Sequence, residues 1–559
     1  MAKTLENINN NCIINNNCIV LILAAGDIRS KFKFHSFFYK SPALIPVGSK
    51  TLLSLVVERF IEYGIKKENI YVAINEEEAN LAKIILKNIK IIPISDTEGV
   101  IDTLRKSLEF IENLEFIENK ENVEIIINLV TTVPNIIPNK RNTVVLSKSR
   151  YEDVNFSLID FNSENIAFYF KNIYPKKGFA FTGLFRTTIP ILKSCVYSLE
   201  RVDDLLLVVK CIYDKYGLEF VFDDWIDFGH ETNFSNSKIK LINSRKFNNF
   251  EVDLLNNTIR KTSNKVKKLK AEYTYISMLP EEIKILFPRI ISFDESNNKA
   301  SITMEYYGYK SLSELYIFYN VSNEEWFRIF SKLKSVLELF RRYKLPLAEK
   351  LFIDFHLNKL RERIDDFYYQ LPEGLKWIII DEKIKINNNY YDNVNVLMRQ
   401  IEEKIKNLYD PEDFCIMHGD FCFSNILYDL DTDIIKLLDP RGIFGNYYTI
   451  YGDIKYDLAK LMHSVYGLYD SIIYNFYEIS IYKKTVNYRI IPPPNLRTAG
   501  RYFEKLLQSF NKNITDIKFL MSLLFLTMPP LHYENLERQI LFYVHGLKML
   551  NESLKNGGD

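Results

Sequence analysis

The sequence predicts two domains. An α/β domain with a mainly parallel sheet spans residues 18–240. An α+β domain, a small sheet lobe followed by a large helical lobe, spans residues 245–559. Three observations predict this. In the first half, unbroken apolar runs alternate with helix-spaced segments. At the start of the second half, two alternating stretches bracket one helical segment. From Ser311 onward the pattern is helical almost throughout. The length of 559 residues suits two large domains as well as three or four of roughly 150 residues.

The elements follow in order. Residues 1–17 are polar and Asn-rich and are expected to form a disordered tail. Cys18 to Leu23 is a continuous apolar run ended by Ala24-Ala25-Gly26, the pattern of a strand buried on both faces. Leu52, Leu55, Val56, Arg59, Phe60 and Tyr63 lie at helical spacing. Ile70–Ile74 reads as the next strand and Ala79–Leu86 as the next helix. Ile89–Ile92 and Glu124–Ile127 are further strands, so βαβ units repeat. In the second half, Glu251–Lys261 and Ile290–Tyr306 alternate like antiparallel strands around a helix at Lys265–Ser277. The join near Ser237–Phe250 carries Asn248-Asn249 but no Pro- or Gly-rich linker.

Charge and composition exclude several classes. Lys and Arg total 72 against 71 Asp and Glu. So even a balance argues against nucleic acid as a partner, which demands a basic excess. No apolar run reaches the ~18–20 residues of a membrane span. The N-terminus lacks a charged-then-apolar secretory pattern, and a cytoplasmic location is expected. None of the six cysteines is spaced as CxxC, so neither a disulfide framework nor a structural zinc site is expected.

The second half carries the strongest motif, His418-Gly419-Asp420-Phe421-Cys422-Phe423-Ser424-Asn425, after the apolar Phe414–Met417. Asp420 can accept the proton of an attacking hydroxyl or hold that hydroxyl in line. Asn425, five positions on, can reach back to a magnesium ion on nucleotide phosphates. The apolar strand Ile434–Leu438 then ends in Asp439, a hard oxygen ligand for the same metal. Lys261 at a strand end and Glu272 on the next helix fit an ion pair that positions phosphates.

This region, Arg245 to Asp559, resembles the aminoglycoside phosphotransferase and choline kinase-like family, which has a protein-kinase-like fold. The resemblance implies phosphorylation of a small-molecule hydroxyl by ATP with Mg2+. It implies Asp420 as catalytic base, Asn425 and Asp439 as metal ligands, and His418 as structural. Asp457 matches the family's helix-starting Asp and reads as an N-cap. Met304-Glu305-Tyr306-Tyr307-Gly308 resembles the hinge that meets the nucleotide base, with Glu305 at its centre. The phosphate-covering loop, Ser244–Phe250, contains no glycine. Asp439-Pro440-Arg441-Gly442 puts a cation beside the acceptor. Arg441 would repel an ammonium and can donate to a sugar or polyol, or it braces a carboxylate.

In the first half, Leu21–Ser30 reads as strand, tight turn, then a basic residue. Ala24, Ala25 and Gly26 let the backbone approach a nucleotide, and Arg29 can reach its phosphates. Together with Ser41–Leu52, this resembles the opening of the sugar-phosphate and phosphocholine nucleotidylyltransferases. These have a Rossmann-like sheet and join a nucleoside triphosphate to a phosphorylated metabolite, releasing pyrophosphate. Two positions depart from the family pattern. Pro42 stands where a Lys is expected, leaving Lys40 to substitute or the charge missing. No carboxylate follows Asn128, where Leu129-Val130-Thr131-Thr132 stands instead of a metal Asp. The second metal Asp is matched by Asp227. Phe181–Phe185 resembles the acceptor-side strand, with Lys176 and Lys177 near a substrate phosphate.

Taken together, the expected protein is a bifunctional kinase and nucleotidylyltransferase with ATP and CTP as substrates. Its acceptor would be a sugar or polyol, with an amino alcohol as the alternative, activated for a bacterial surface polysaccharide such as capsule. Similarity to cytidylyltransferases, not any base-reading residue, favours CTP. The competing expectation is a live kinase with a degenerate nucleotide-binding first domain. A protein in which neither domain turns over is disfavoured by the intact Asp420, Asn425 and Asp439 set. An antibiotic-modifying kinase would leave the first domain unexplained. Oligomeric state is left open, a homo-oligomer included.

Overall fold

The computed structural model describes residues 18–29, 32, 36–113, 123–153, 155–161, 165–172, 177–199, 204–243, 249–296, 298–445 and 447–555. The expected Asn-rich tail, Lys176 and most of the 244–250 loop lie outside the described residues. The chain divides into two compact units, Met1–Lys240 and Leu241–Asp559.

The first unit is built on a nine-stranded sheet. At its centre lies Cys18–Ala24, with all seven residues buried. It pairs in parallel with Ile70–Asn75 on one side and Glu124–Leu129 on the other, Leu21 facing Tyr71 and Ile127. Lys90–Ile94 adds in parallel beyond Ile70–Asn75. Helices Leu52–Glu62, Glu76–Ile85 and Val100–Glu112 make the connections. Thr51 caps the first of them, its hydroxyl accepting from Ser54 N, which explains the sharp start. Strands covered on both faces read as unbroken apolar runs, and this is why the first unit was legible. Gly178–Thr188 runs antiparallel to Glu124–Leu129. Gly183 within it has φ +84°, and a Cβ there would come within 2.5 Å of Leu129 Cδ1.

The cysteine expectation needs one correction. Cys195 and Cys211 form a disulfide. They sit on helices Ile189–Val196 and Leu206–Tyr216, whose packing brings the Cα atoms to 5.7 Å, within bridging range. Helix packing rather than sequence spacing makes this pair.

The second unit opens with a four-stranded antiparallel sheet, in the order Asn249–Asp253, Thr258–Ser263, Lys299–Glu305, Ile290–Ser296. Helix Val266–Met278 lies on it through Leu269, against Ala300, Ile302 and Met304. The helical lobe follows. Its first two helices, Leu312–Phe318 and Asn323–Arg341, each begin with a complete capping box, Ser311 with Glu314 and Ser322 with Glu325.

The lobe is less uniformly helical than the sequence pattern suggests. Asn389–Asp392, Lys383–Ile386, Thr485–Ile490 and Tyr477–Tyr482 form a four-stranded sheet within it. Both hairpins turn on paired residues at positive φ, Asn387-Asn388 and Lys483-Lys484. These are two-residue turns of the kind that favours hairpins, made here without glycine. No helix among the described residues is long and apolar enough to cross a membrane.

Candidate active sites

In the second unit, two short strand pairs frame the motif. Phe414–Ile416 pairs with Tyr451–Asp453, and Ile426–Tyr428 with Ile435–Leu437. Between them, Gly419 at φ +78° turns the chain. The loop is fixed from beneath by Asp457, fully buried, whose two oxygens accept from His418 N and Gly419 N at 2.8 Å each. Asp457 is therefore not the N-cap of its helix. That place belongs to Asp453, which accepts from Lys455 N. Burial foremost pushes Asp457 up to about 7, against the two amide bonds. His418 is fully buried, stacks on Phe287 and accepts from Asp420 N through Nδ1. Burial pushes it down to about 4, so it is neutral.

Asp420 is gripped on both oxygens. Lys460 Nζ lies 2.8 Å from Oδ1, and Asn425 Nδ2 donates to Oδ2 at 2.8 Å. Burial would raise its pKa, but the Lys460 charge and hydrogen bond outweigh that and hold the carboxyl well below the usual carboxylate range. Asn425 is tied to the metal-candidate strand end, its carbonyl accepting from Leu438 N at 2.9 Å. Asp439 sits at φ +55°, with its side chain 42% exposed.

Lys261 bridges the small-lobe sheet to this strand end. Its Nζ lies 2.8 Å from Glu272 Oε2 and 2.6 Å from Asp439 Oδ1. Among the described residues, the other oxygen of Asp439 makes no hydrogen bond, so it is available to a cation. No cluster of three His, Cys, Asp or Glu side chains among the described residues could hold a metal ion. One Asp and one Asn amide still fit magnesium, which keeps several waters and takes phosphate oxygens.

Glu305 ends its strand with the carboxylate turned to Arg289 Nε at 3.3 Å and Tyr307 Oη at 2.9 Å. This braces the segment joining the lobes, so any nucleotide contact there falls to the backbone. Arg441 braces no carboxylate among the described residues. Its Nη1 donates to Tyr456 Oη at 3.0 Å, and its backbone amide donates to His418 O. No sequence pattern marks Lys359 or Tyr456 as part of this site. The only signal for Lys460 is its place three residues after Asp457.

In the first unit, the turn after the central strand is held open. Ala24 O accepts from Ser41 Oγ at 2.6 Å, and Gly26 O from Asn75 Nδ2 at 3.3 Å. Ala24 and Ala25 are buried, Gly26 is exposed, and a Cβ at Gly26 would meet nothing within 4 Å. That leaves space in front of the turn. Arg29 is exposed and paired with Asp27 at 3.2 Å. Pro42 begins a short 3-10 turn, capped by Ser41. The amides of Lys40 and Ser41 donate to the buried Glu78 carboxylate at 2.5 and 2.9 Å, which burial pushes up.

Asp227 pairs with Thr132 across a two-strand ladder, and Phe228 N donates to Thr131 O. Thr131 is thus beside Asp227, where a second carboxylate would complete a metal pair. Asp227 is buried and held by its own turn. Oδ1 accepts from Gly229 N at 2.8 Å, and Oδ2 from His230 Nδ1 at 2.8 Å and Asn233 Nδ2 at 2.9 Å. Lys177 is exposed.

No protein-family model and no curated protein matches the chain. Among solved structures it is similar to an aminoglycoside-3'-phosphotransferase of type VIII, at 14% identity and TM-score 0.30, over 52% of this chain and 84% of the other. It is similar to an inositol-1-phosphate CTP transferase from T. maritima, at 13% identity and TM-score 0.28, over 38% and 90%. It is also similar to a UDP-glucose pyrophosphorylase from Acinetobacter baumanii, at 8% identity and TM-score 0.31, over 41% and 94%. The structural neighbours therefore include both phosphotransferases and nucleotidyltransferases, at TM-scores that leave the function to the residues themselves.

Proposed function

We propose that the second unit is a small-molecule kinase and the first a nucleotidylyltransferase acting on its product. The carrying observation is the Lys261 ammonium shared between buried Glu272 and half-exposed Asp439, in the same unit as an Asp420 held ionised by Lys460. In this reading, ATP phosphates take the place of Asp439 as Lys261's partner. Asp439 and Asn425 would then hold Mg2+, whose charge would offset that of the triphosphate. Asp420 accepts the hydrogen bond of the acceptor hydroxyl and keeps it in line. The hydroxyl oxygen bonds to the γ-phosphorus, the bond to the β-phosphate oxygen breaks, and ADP leaves with that electron pair. The hydroxyl proton passes to Asp420 and on to solvent. With its pKa held low, Asp420 orients the hydroxyl and holds the proton only in passing.

In the first unit, the open turn at Ala24–Gly26 suits a nucleotide, with CTP favoured, and Arg29 and Lys177 suit its phosphates and those of the acceptor. Lys176 keeps its proposed acceptor role, outside the described residues. The product would be a nucleotide-activated sugar or polyol for a surface polysaccharide. A second reading, a first domain that only binds nucleotide, is favoured by one feature. Asp227 already accepts three hydrogen bonds, which leaves it little capacity for metal.

Mass spectrometry of products from ATP, CTP and a panel of sugars, polyols and amino alcohols tests both halves. An acceptor gaining one phosphate, then a nucleotidyl group, is expected. No phosphorylated product from any acceptor, with ATP unbound, would remove the kinase reading.

A further inference from the structure

We propose that Lys359, Arg441 and Tyr456 form a subsite for an anionic group, a carboxylate or phosphate carried by the alcohol that Asp420 orients. This deepens the kinase reading and rests on it. Lys359 Nζ donates to Tyr456 Oη at 2.9 Å, and Arg441 Nη1 donates to the same oxygen at 3.0 Å. Two cations thus converge on one buried phenol. Among the described residues, neither cation has a carboxylate partner. Three other lysines with little exposure do, whereas buried Lys436 donates to the Ile285 carbonyl. Lys455 sits on Asp413 and Asp453, Lys460 on Asp420, and Lys261 on Glu272 and Asp439. Against its burial, Lys359 and Arg441, with Lys460, push the Tyr456 phenol down to about 8, so at neutral pH it is mostly protonated and only a partial counter-ion. Half-buried like charges without a carboxylate are costly, and a cost kept in one place points to a ligand.

The placement is beside the chemistry. Arg441 Cβ lies 2.6 Å from where a Cβ on Gly419 would stand, one residue before Asp420. Tyr456 and Lys460 lie one turn apart on helix Ile454–Val465, and Lys460 holds Asp420. The aromatic surfaces nearby are taken. Lys359 stands 5.7 Å over Phe355 and 5.3 Å over Tyr456, and Arg441 stands 4.8 and 5.8 Å over the same rings. An acceptor ammonium would meet these cations on the rings that could otherwise bind it. His356 adds no third positive charge, since burial, with Lys359, Lys455 and Arg441, pushes it down to about 3. Burial, with the charges of Arg441 and Lys460, pushes Lys359 down to about 8 despite the Tyr456 phenol. An incoming anion relieves that repulsion.

Calorimetric titration of the full chain decides it. The probes are inorganic phosphate and D-glycerate, with glycerol and choline as neutral and cationic controls, with and without magnesium and AMP-PNP. With AMP-PNP bound, D-glycerate should bind at least about tenfold tighter than glycerol, as expected of charge-assisted hydrogen bonds. Lys359→Met should lose that preference, Lys359→Arg should keep most of it, and AMP-PNP affinity should be unchanged in both. The proposal is overturned if neither anion binds the wild type, if choline or glycerol binds more tightly, or if Lys359→Met leaves anion binding intact. A Lys359→Met variant that loses AMP-PNP affinity instead assigns the cations to the nucleotide phosphates and also overturns it. Lys359-dependent phosphate binding by a chain that does not bind magnesium and AMP-PNP would sink the kinase reading and leave the anion subsite standing. The wild-type comparison of probes decides the matter should a variant not fold.

Discussion

Lys460 Nζ and Asp420 Oδ1 stand 2.8 Å apart, with Lys460 only 8% exposed. The pair sets the ionisation of the proposed kinase site. Its sign is plain. A carboxyl held below its unfolded value contributes stability above that unfolded pKa and loses it as pH falls through the folded one. Asp420 should therefore impose no acid limb on kcat down to about pH 5. Lys460→Met leaves the partly exposed Asp420 carboxylate without its cation, so its pKa should rise and any acid limb should move towards neutral pH. Asp420→Asn should cost about 10²–10⁴-fold in rate. ATP consumption against pH for the three proteins checks this. A wild-type acid limb shared by Lys460→Met would separate it from Asp420.

Lys261 shares its ammonium between a buried and a half-exposed carboxylate, so the two partners should differ in effect. Lys261→Met strands buried Glu272 and removes the phosphate contact, and kcat/KM for ATP should fall about 10²-fold or more. Glu272→Gln leaves Lys261 on Asp439 and should cost less. Asp439→Ala should abolish turnover and its magnesium dependence. Steady-state kinetics across a magnesium series reads all three, and equal losses for Glu272→Gln and Lys261→Met would undo the ranking.

The parts of this site that were legible lie close together in sequence. Asp420, Asn425 and Asp439 fall within one loop and the strand pair after it, and Lys261 and Glu272 on one strand–helix unit. Lys359 and Tyr456 are 97 residues apart, and no local pattern links a lysine on an amphipathic helix to a distant phenol. The sheet inside the helical lobe was hidden for a related reason. Its hairpins use Asn387-Asn388 and Lys483-Lys484 in place of glycine, so the usual turn signal is missing. Asp457 misread as a cap because its type fits a helix start, whereas its carboxylate serves two amides of another segment.

Those two amides give a stability prediction. Asp457→Asn replaces one acceptor by a donor facing a backbone N–H, which should cost about 1–3 kcal/mol. Burial pushes Asp457 up to about 7, above its ordinary value. A raised acid favours the folded state below the unfolded pKa, and that contribution is lost as pH rises through the folded one. Denaturant titrations should show this part of the slope between about pH 4 and 7 in the wild type and not in Asp457→Asn. An unchanged slope would assign it to other groups.

The first unit carries the sharpest test, because its geometry supports both a working and a degenerate site. Transfer at an α-phosphorus needs charge neutralised as pyrophosphate leaves. Arg29 is exposed and can exchange its pairing with Asp27 for a phosphate at little cost, since an exposed pair contributes only about 0–1 kcal/mol. Arg29→Ala should therefore reduce pyrophosphate release by about 10²-fold with little change in melting temperature. Asp227 is different. It is buried, with three hydrogen bonds into its own turn, and Thr131 stands beside it. If it is a metal ligand, activity should require high magnesium, and Asp227→Ala should abolish release. If it is only the turn's anchor, Asp227→Ala should lower the melting temperature and reduce activity only in proportion to the folded fraction. Thr131→Asp separates the two outcomes further. It restores a carboxylate pair and should lower the magnesium needed for half-maximal rate in a working site. Pyrophosphate release with each of the four nucleoside triphosphates and the kinase product, measured alongside melting curves, reads every arm. No release from wild type or Thr131→Asp with an active kinase half leaves the first unit as a nucleotide-binding domain.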